Sequence, residues 1–135
     1  MRLERQEQFM RMAREIANRD LRLEDFKSRV DSMFNQYPEL QGVAWLDERR
    51  RVRFSQGSAV AAANLIHEGN EALHRRDRQS GFTQAHELNQ PVYVQRTRSG
   101  DDAPLLQLHI PMNERDRFTG IVLVEYSIDG LFRYG

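Results

Sequence analysis

Six polar side chains lie at alternating positions in β-prone stretches, and their types suit recognition of a ligand. In 104–112, Leu106, Leu108 and Ile110 share one face of an extended chain and leave Gln107 and His109 on the other, because successive side chains of a strand point to opposite sides. Tyr93 and Gln95 oppose Val92 and Val94 in the same way, Glu125 opposes Val122, Val124 and Tyr126, and Arg53 opposes Val52 and Phe54. Gathered together, Arg53, Tyr93, Gln95, Gln107, His109 and Glu125 would make a polar pocket in which the forked donors of Arg53 match a carboxylate. Taken singly, each residue is better explained as part of an ordinary solvated sheet face, since the argument rests on alternation alone.

Other chemistries have weaker footing. His67, Glu71 and His74 stand at i, i+4 and i+7, which a helix would align as metal ligands. Glu71 replaces the second histidine of the zinc-protease motif, and an exposed polar helix face explains the spacing more simply. No metal is therefore expected. The absence of cysteine excludes disulfides, thiolate metal sites and cysteine nucleophiles. With no nucleophile elbow, phosphate loop or paired-carboxylate motif, neither a catalytic residue nor a cofactor is expected.

Nucleic acid is not an expected partner. Arg49 to Arg51 with Arg53, and Arg75, Arg76 and Arg78, form two basic runs, but Asp47, Glu48 and Asp77 interrupt them. Twenty acidic residues balance twenty basic ones, so the long-range field is weak. Lys27 is the only lysine, an arginine bias in keeping with a GC-rich bacterial genome. Nothing approaches the roughly 20 apolar residues of a membrane span, and the polar opening Met1 to Arg5 does not begin a signal peptide. Any membrane attachment would lie in flanking segments. The amphipathic stretch Ile128 to Gly135 looks interrupted, which suggests a fragment of a longer chain.

The elements that must position these residues follow from periodicity. Phe9, Ile16, Leu23, Val30 and Tyr37 repeat every seven residues, with Met12, Phe26 and Met33 in the companion series and Arg19 its one polar member. This predicts one long helix over 1–37, bent at most, closed by Pro38. Asp20 is a conceivable cap for a second helix, but the repeat keeps its phase across it. The stripe either belongs wholly to the intramolecular core or pairs two copies of the chain through Phe9, Met12 and Ile16. Residues 42–47 and 51–55 flank a Glu48-Arg49-Arg50 turn and read as a hairpin. A helix capped by Ser58 should run to about Arg78, weakened by Gly69, with a short helical or irregular segment over 82–88. Strands are expected at 91–96, 104–112 and 119–127. The order predicts one α+β domain with a five-stranded antiparallel sheet, a helical insertion between strands 2 and 3 across 40–127, and an exit helix from 128 to 135.

This order resembles the PAS-like Cache (PDC) sensor domains found outside the membrane in bacterial sensor histidine kinases and chemoreceptors. Trp45 to Ser55 is similar to the family's first hairpin, with Arg50 where many relatives have a turn glycine. Leu108-His109-Ile110-Pro111-Met112 with Phe118 to Val124 resembles its closing hairpin, and Ser127-Ile128-Asp129-Gly130-Leu131 its passage into the exit helix. The resemblance implies an extracytoplasmic input domain of an inner-membrane receptor, with a small-molecule site between the sheet and the insertion. Its ligand would be a carboxylate or amino acid. Non-ligand dimerisation modules and cytoplasmic PAS-like domains share the same pattern.

Overall fold

The computed structural model describes residues 4–19, 21–70, 80–98 and 100–129. Helices α1 (Glu4–Ala17) and α2 (Leu23–Gln36) lead into strands β1 (Leu40–Asp47) and β2 (Val52–Gly57). Helices α3 (Ala59–His67) and α4 (Gly81–Leu88) follow, and β3 (Val92–Thr97), β4 (Pro104–Glu114) and β5 (Arg117–Ser127) complete the sheet. Its order is β2-β1-β5-β4-β3, antiparallel throughout. The α+β class, the five strands and the insertion between strands 2 and 3 agree with the sequence reading.

Both faces of the sheet are covered, which is why its central strands are apolar in near-continuous runs rather than in alternation. On one face, Phe9, Met12, Phe26, Val30 and Met33 pack on Val43, Leu108, Ile110, Val122 and Val124. Phe26 meets Trp45 and Phe54 edge-on at 5.7 and 5.4 Å between ring centroids, a favoured aromatic geometry. On the other face, Ala59, Ala62, Ala63 and Ile66 of α3, with Phe82 and Ala85 of α4, cover Ala44, Leu46, Ile121 and Leu123. Small residues let α3 lie very close to β1. At Gly42 a Cβ would fall 2.3 Å from the Ala59 backbone nitrogen, so only glycine fits there.

The N-terminal helical segment is broken where the sequence predicts one continuous helix. Arg19 takes a left-handed conformation, φ 64°, and the N–H groups of Arg19 and Leu21 return to the carbonyls of Ile16 and Glu15. That is how helices commonly end. The seven-residue phase survives because α1 and α2 both bury their stripes against the same sheet face.

The insertion also departs from its expected bounds. Gly69, at φ 75°, stops α3, its N–H and that of Asn70 returning to the Ile66 and Leu65 carbonyls. Ser58 precedes α3 without making a side-chain cap, whereas Ser80 caps α4 by accepting from the Thr83 N–H at 3.1 Å. Glu71 to Gln79, and the exit segment from Gly130, lie outside the described residues.

In the first hairpin, Arg50 itself adopts the left-handed conformation usually given to glycine, φ 64°. The Asp47 carboxylate accepts from the N–H groups of Arg49 and Arg51, both at 2.9 Å, and closes the turn. Burial pushes the Asp47 carboxyl up, but these two bonds and the Arg51 guanidinium bring it below its ordinary value.

The β3–β4 connection provides a pH test. Bonds from the Arg98 guanidinium and the Ala103 N–H hold the Asp101 carboxyl at about 2, down from 3.8. A depressed folded-state value means that the stabilisation is complete above 3.8 and is lost as pH falls through about 2. Carboxyl chemical shifts should place the Asp101 midpoint near 2, and Arg98→Ala should return it toward 3.8. An unchanged midpoint in that variant would refute the pairing.

Candidate ligand-binding site

Strand register divides the six sequence-predicted residues into two groups. Gln107 and His109 of β4 and Glu125 of β5 share the face beneath the insertion, with exposures of 5%, 0% and 0%. Tyr93 and Gln95 are opposite Leu108 and Leu106, which places them on the face that carries α1 and α2. The Tyr93 hydroxyl donates to Gln6 Oε1 in α1, and burial raises its pKa. Arg53 is also away from the buried group. Trp45 pairs with Phe54 and Leu46 with Val52, leaving Arg53 as the extra residue of a β-bulge. Its guanidinium lies over the Trp45 ring, 5.8 Å from the centroid.

Arg96 replaces them, a residue that the sequence reading missed. Its Nε donates to Glu125 Oε2 and its Nη2 to Glu125 Oε1 at 2.9 Å, a forked pairing with a carboxylate. The same Nη2 reaches the Ser58 carbonyl at 3.0 Å, and Nη1 the Thr97 carbonyl at 3.0 Å. The pair is nearly dry, with Arg96 17% and Glu125 0% exposed in their side chains. A buried carboxylate is costly unless paired and hydrogen-bonded, and here both conditions hold.

From Glu125 the polar row continues into the sheet. Gln107 Nε2 donates to Glu125 Oε2 at 2.8 Å, and Gln107 Oε1 lies 3.0 Å from His109 Nε2. Because a carboxylate only accepts, the Gln107 amide must turn its NH₂ toward Glu125 and its oxygen toward His109. His109 therefore carries its proton on Nε2. Gly81, at the start of α4, rests directly on this imidazole, and a Cβ there would lie 2.4 Å from Nε2.

The row also fixes the insertion to the sheet. Arg96 holds the residue before α3 through the Ser58 carbonyl. Arg50 donates from Nη2 to Thr83 Oγ1 at 2.9 Å and stacks over Phe82 at 4.7 Å, tying the first hairpin to α4. A groove of about 490 Å³ reaches Arg96 past Gln41, Ser58, Ala61 and Asn64 and is bordered by Arg98. Donors, an acceptor carboxylate and an imidazole in one sheltered row can bind a polar or zwitterionic molecule by exchange of partners.

The remaining predicted residues are placed as follows. Phe9, Met12 and Ile16 are buried against the sheet at 0%, 3% and 9% exposure, so pairing two copies through them would remove them from this core. His67 donates from Nδ1 to the Arg50 carbonyl at 3.0 Å, while Glu71 and His74 fall outside the described residues. Among the described residues no three His, Asp or Glu side chains converge as a metal site, and no helix is long and apolar enough to cross a membrane.

No protein-family model and no curated protein matches the chain. Solved structures do. The ligand-binding domain of the Pseudomonas aeruginosa amino acid chemoreceptor PctC, in complex with GABA, aligns over 96% of this chain and 54% of its own, with TM-score 0.63 and 8% identity. The fold is the one that this chemoreceptor domain adopts. An extracellular ligand-binding receptor from Desulfohalobium retbaense shares this fold over 93% of the chain and 23% of its own, at TM-score 0.58 and 18% identity. So does the extracellular domain assigned to the histidine kinase mmHK1S-Z2, over 93% and 54%, at TM-score 0.54 and 12% identity. The chain thus spans about half the length, or less, of these solved chains.

Proposed function

We propose that this chain is the extracytoplasmic ligand-sensing input domain of a bacterial transmembrane receptor, a sensor histidine kinase, and that it binds a small organic molecule beneath the insertion. The observation that carries the reading is the Arg96–Glu125 pair with Gln107 and His109, a charged row buried where an apolar seal would be less costly. Support for the setting comes from the shared fold of extracellular domains, one of them solved with GABA bound.

The row suits an amino acid. Its carboxylate would take the fork of Arg96, its ammonium would take Glu125, and each protein charge would keep a partner throughout the exchange. Binding transmits a signal only if the ligand has unequal affinity for two arrangements of insertion and sheet. Because Arg96 holds the Ser58 carbonyl as well as Glu125, occupancy would alter the seating of α3.

Thermal-shift screening of amino acids and small carboxylates, followed by calorimetry, tests the proposal. A true ligand at about 100 times its Kd should stabilise the domain by about 2.7 kcal/mol. Arg96→Ala should abolish that gain, with circular dichroism used to verify its fold. A ligand whose affinity is unchanged by Arg96→Ala would place binding elsewhere, and a panel without hits would argue for a scaffold.

A further inference from the structure

A second cavity lies on the opposite face of the sheet, where the α1–α2 junction overhangs the hairpin ends. The cleft measures about 590 Å³, within the range of roughly 300–1,000 Å³ found for small-molecule sites. Its floor is apolar, formed by Ile16 from α1, Leu21 from the α1–α2 junction, Trp45 from β1 and Met112 from β4. Charges crowd its rim, and pairing them off leaves a residue of one sign. Glu114 faces Arg19 at 3.3 Å, Glu48 faces Arg117 at 4.0 Å and Asp47 faces Arg51 at 2.8 Å. Arg22 and Arg53 line the cleft with no acidic partner among the described residues.

Two guanidiniums without an acidic partner among the described residues, beside an aromatic, half-enclosed floor, select for charge and shape together. A cation would be repelled, and a neutral molecule would cover the floor but leave both arginines without an anion. Stacking on Trp45 orients Arg53 while leaving its in-plane N–H donors available. We propose that this cleft is a separate site for a small amphiphilic carboxylate. Its apolar body lies on Ile16, Leu21 and Trp45, and its carboxylate is held by Arg53 with help from Arg22. Since the lining includes Ile16 of α1, Leu23 of α2 and the sheet, an occupant braces the junction between them.

Trp45 is the sole tryptophan of the chain, so its emission reports occupancy directly. Titration with phenylacetate should give a saturable change, while phenylacetamide and phenethylamine should bind at least about tenfold more weakly, the value of one charged hydrogen bond. Arg53→Ala should weaken phenylacetate by about tenfold and Arg22→Ala by less, with amide shifts confined to the junction, Trp45 and Met112. Both arginines are exposed, so both variants should fold. Equal affinity for the amide, full affinity in Arg53→Ala, or shifts centred on α3 would overturn the site. Flat titrations with phenylacetate, indole-3-acetate and hexanoate would do the same. None of these outcomes touches the insertion-face proposal, which depends on Arg96.

Discussion

Glu125→Ala should lower the free energy of unfolding by about 3 kcal/mol, measured by urea denaturation at neutral pH. Deleting one member of a buried ion pair leaves the other charge without its partner, and such changes cost about 3–5 kcal/mol. The low end applies because Arg96 keeps 17% exposure and can turn part of its guanidinium toward water. Loss of the carboxylate also removes the acceptor for Gln107 Nε2, so a buried amide donor is stranded as well.

The informative control removes both charges. Arg96→Met combined with Glu125→Leu should recover most of the stability lost in Glu125→Ala, since an apolar pair of similar volume avoids desolvation altogether. Recovery of folding without recovery of ligand binding would mark the pair as functional. A Glu125→Ala variant as stable as the parent would instead show that Arg96 is adequately solvated, and the account of a dry charge pair would fail.

Gly42→Ala should cost about 2–3 kcal/mol. The added methyl would lie 2.3 Å from the Ala59 nitrogen, 2.7 Å from Ser58 Oγ and 2.9 Å from the Ala59 Cβ. Backbone cannot swing aside as a side-chain tip can, so the start of α3 must lift away from β1. The Ser58 carbonyl would then leave Arg96. Hydrogen exchange should accelerate in α3 well before β5, and uniform acceleration across both would contradict this local account.

Much of the fold was readable because burial imposes period. Strands were placed from their alternation and turns, and all five were found close to their expected limits. Helix continuity was harder to read, because a seven-residue stripe records which side is buried, not whether the backbone is unbroken. Arg19, the one polar member of its series, marked the break.

The site was legible in part, for a related reason. Alternation separates two faces of a strand without saying which element covers each. In β4 and β5 the polar residues Gln107, His109 and Glu125 lie beneath the insertion. In β3, Val92 and Val94 also face the insertion, paired with His109 and Gln107, so Tyr93 and Gln95 are turned to the other side. Arg96 shares the parity of the two valines, and its position two strands from Glu125 emerges only once the register is known. Arg53 was displaced by a bulge that leaves no periodic trace in the sequence.

The interruption between Ala17 and Leu23 has mechanical consequences. A continuous rod would carry a push or a twist along its whole length, whereas two short rods glued separately to the same plate share load through that plate. Displacement applied at the first residues of α1 is therefore divided between the sheet beneath it and the Glu15–Arg29 ion pair that ties α1 to α2, and a rigid-piston picture does not describe this chain.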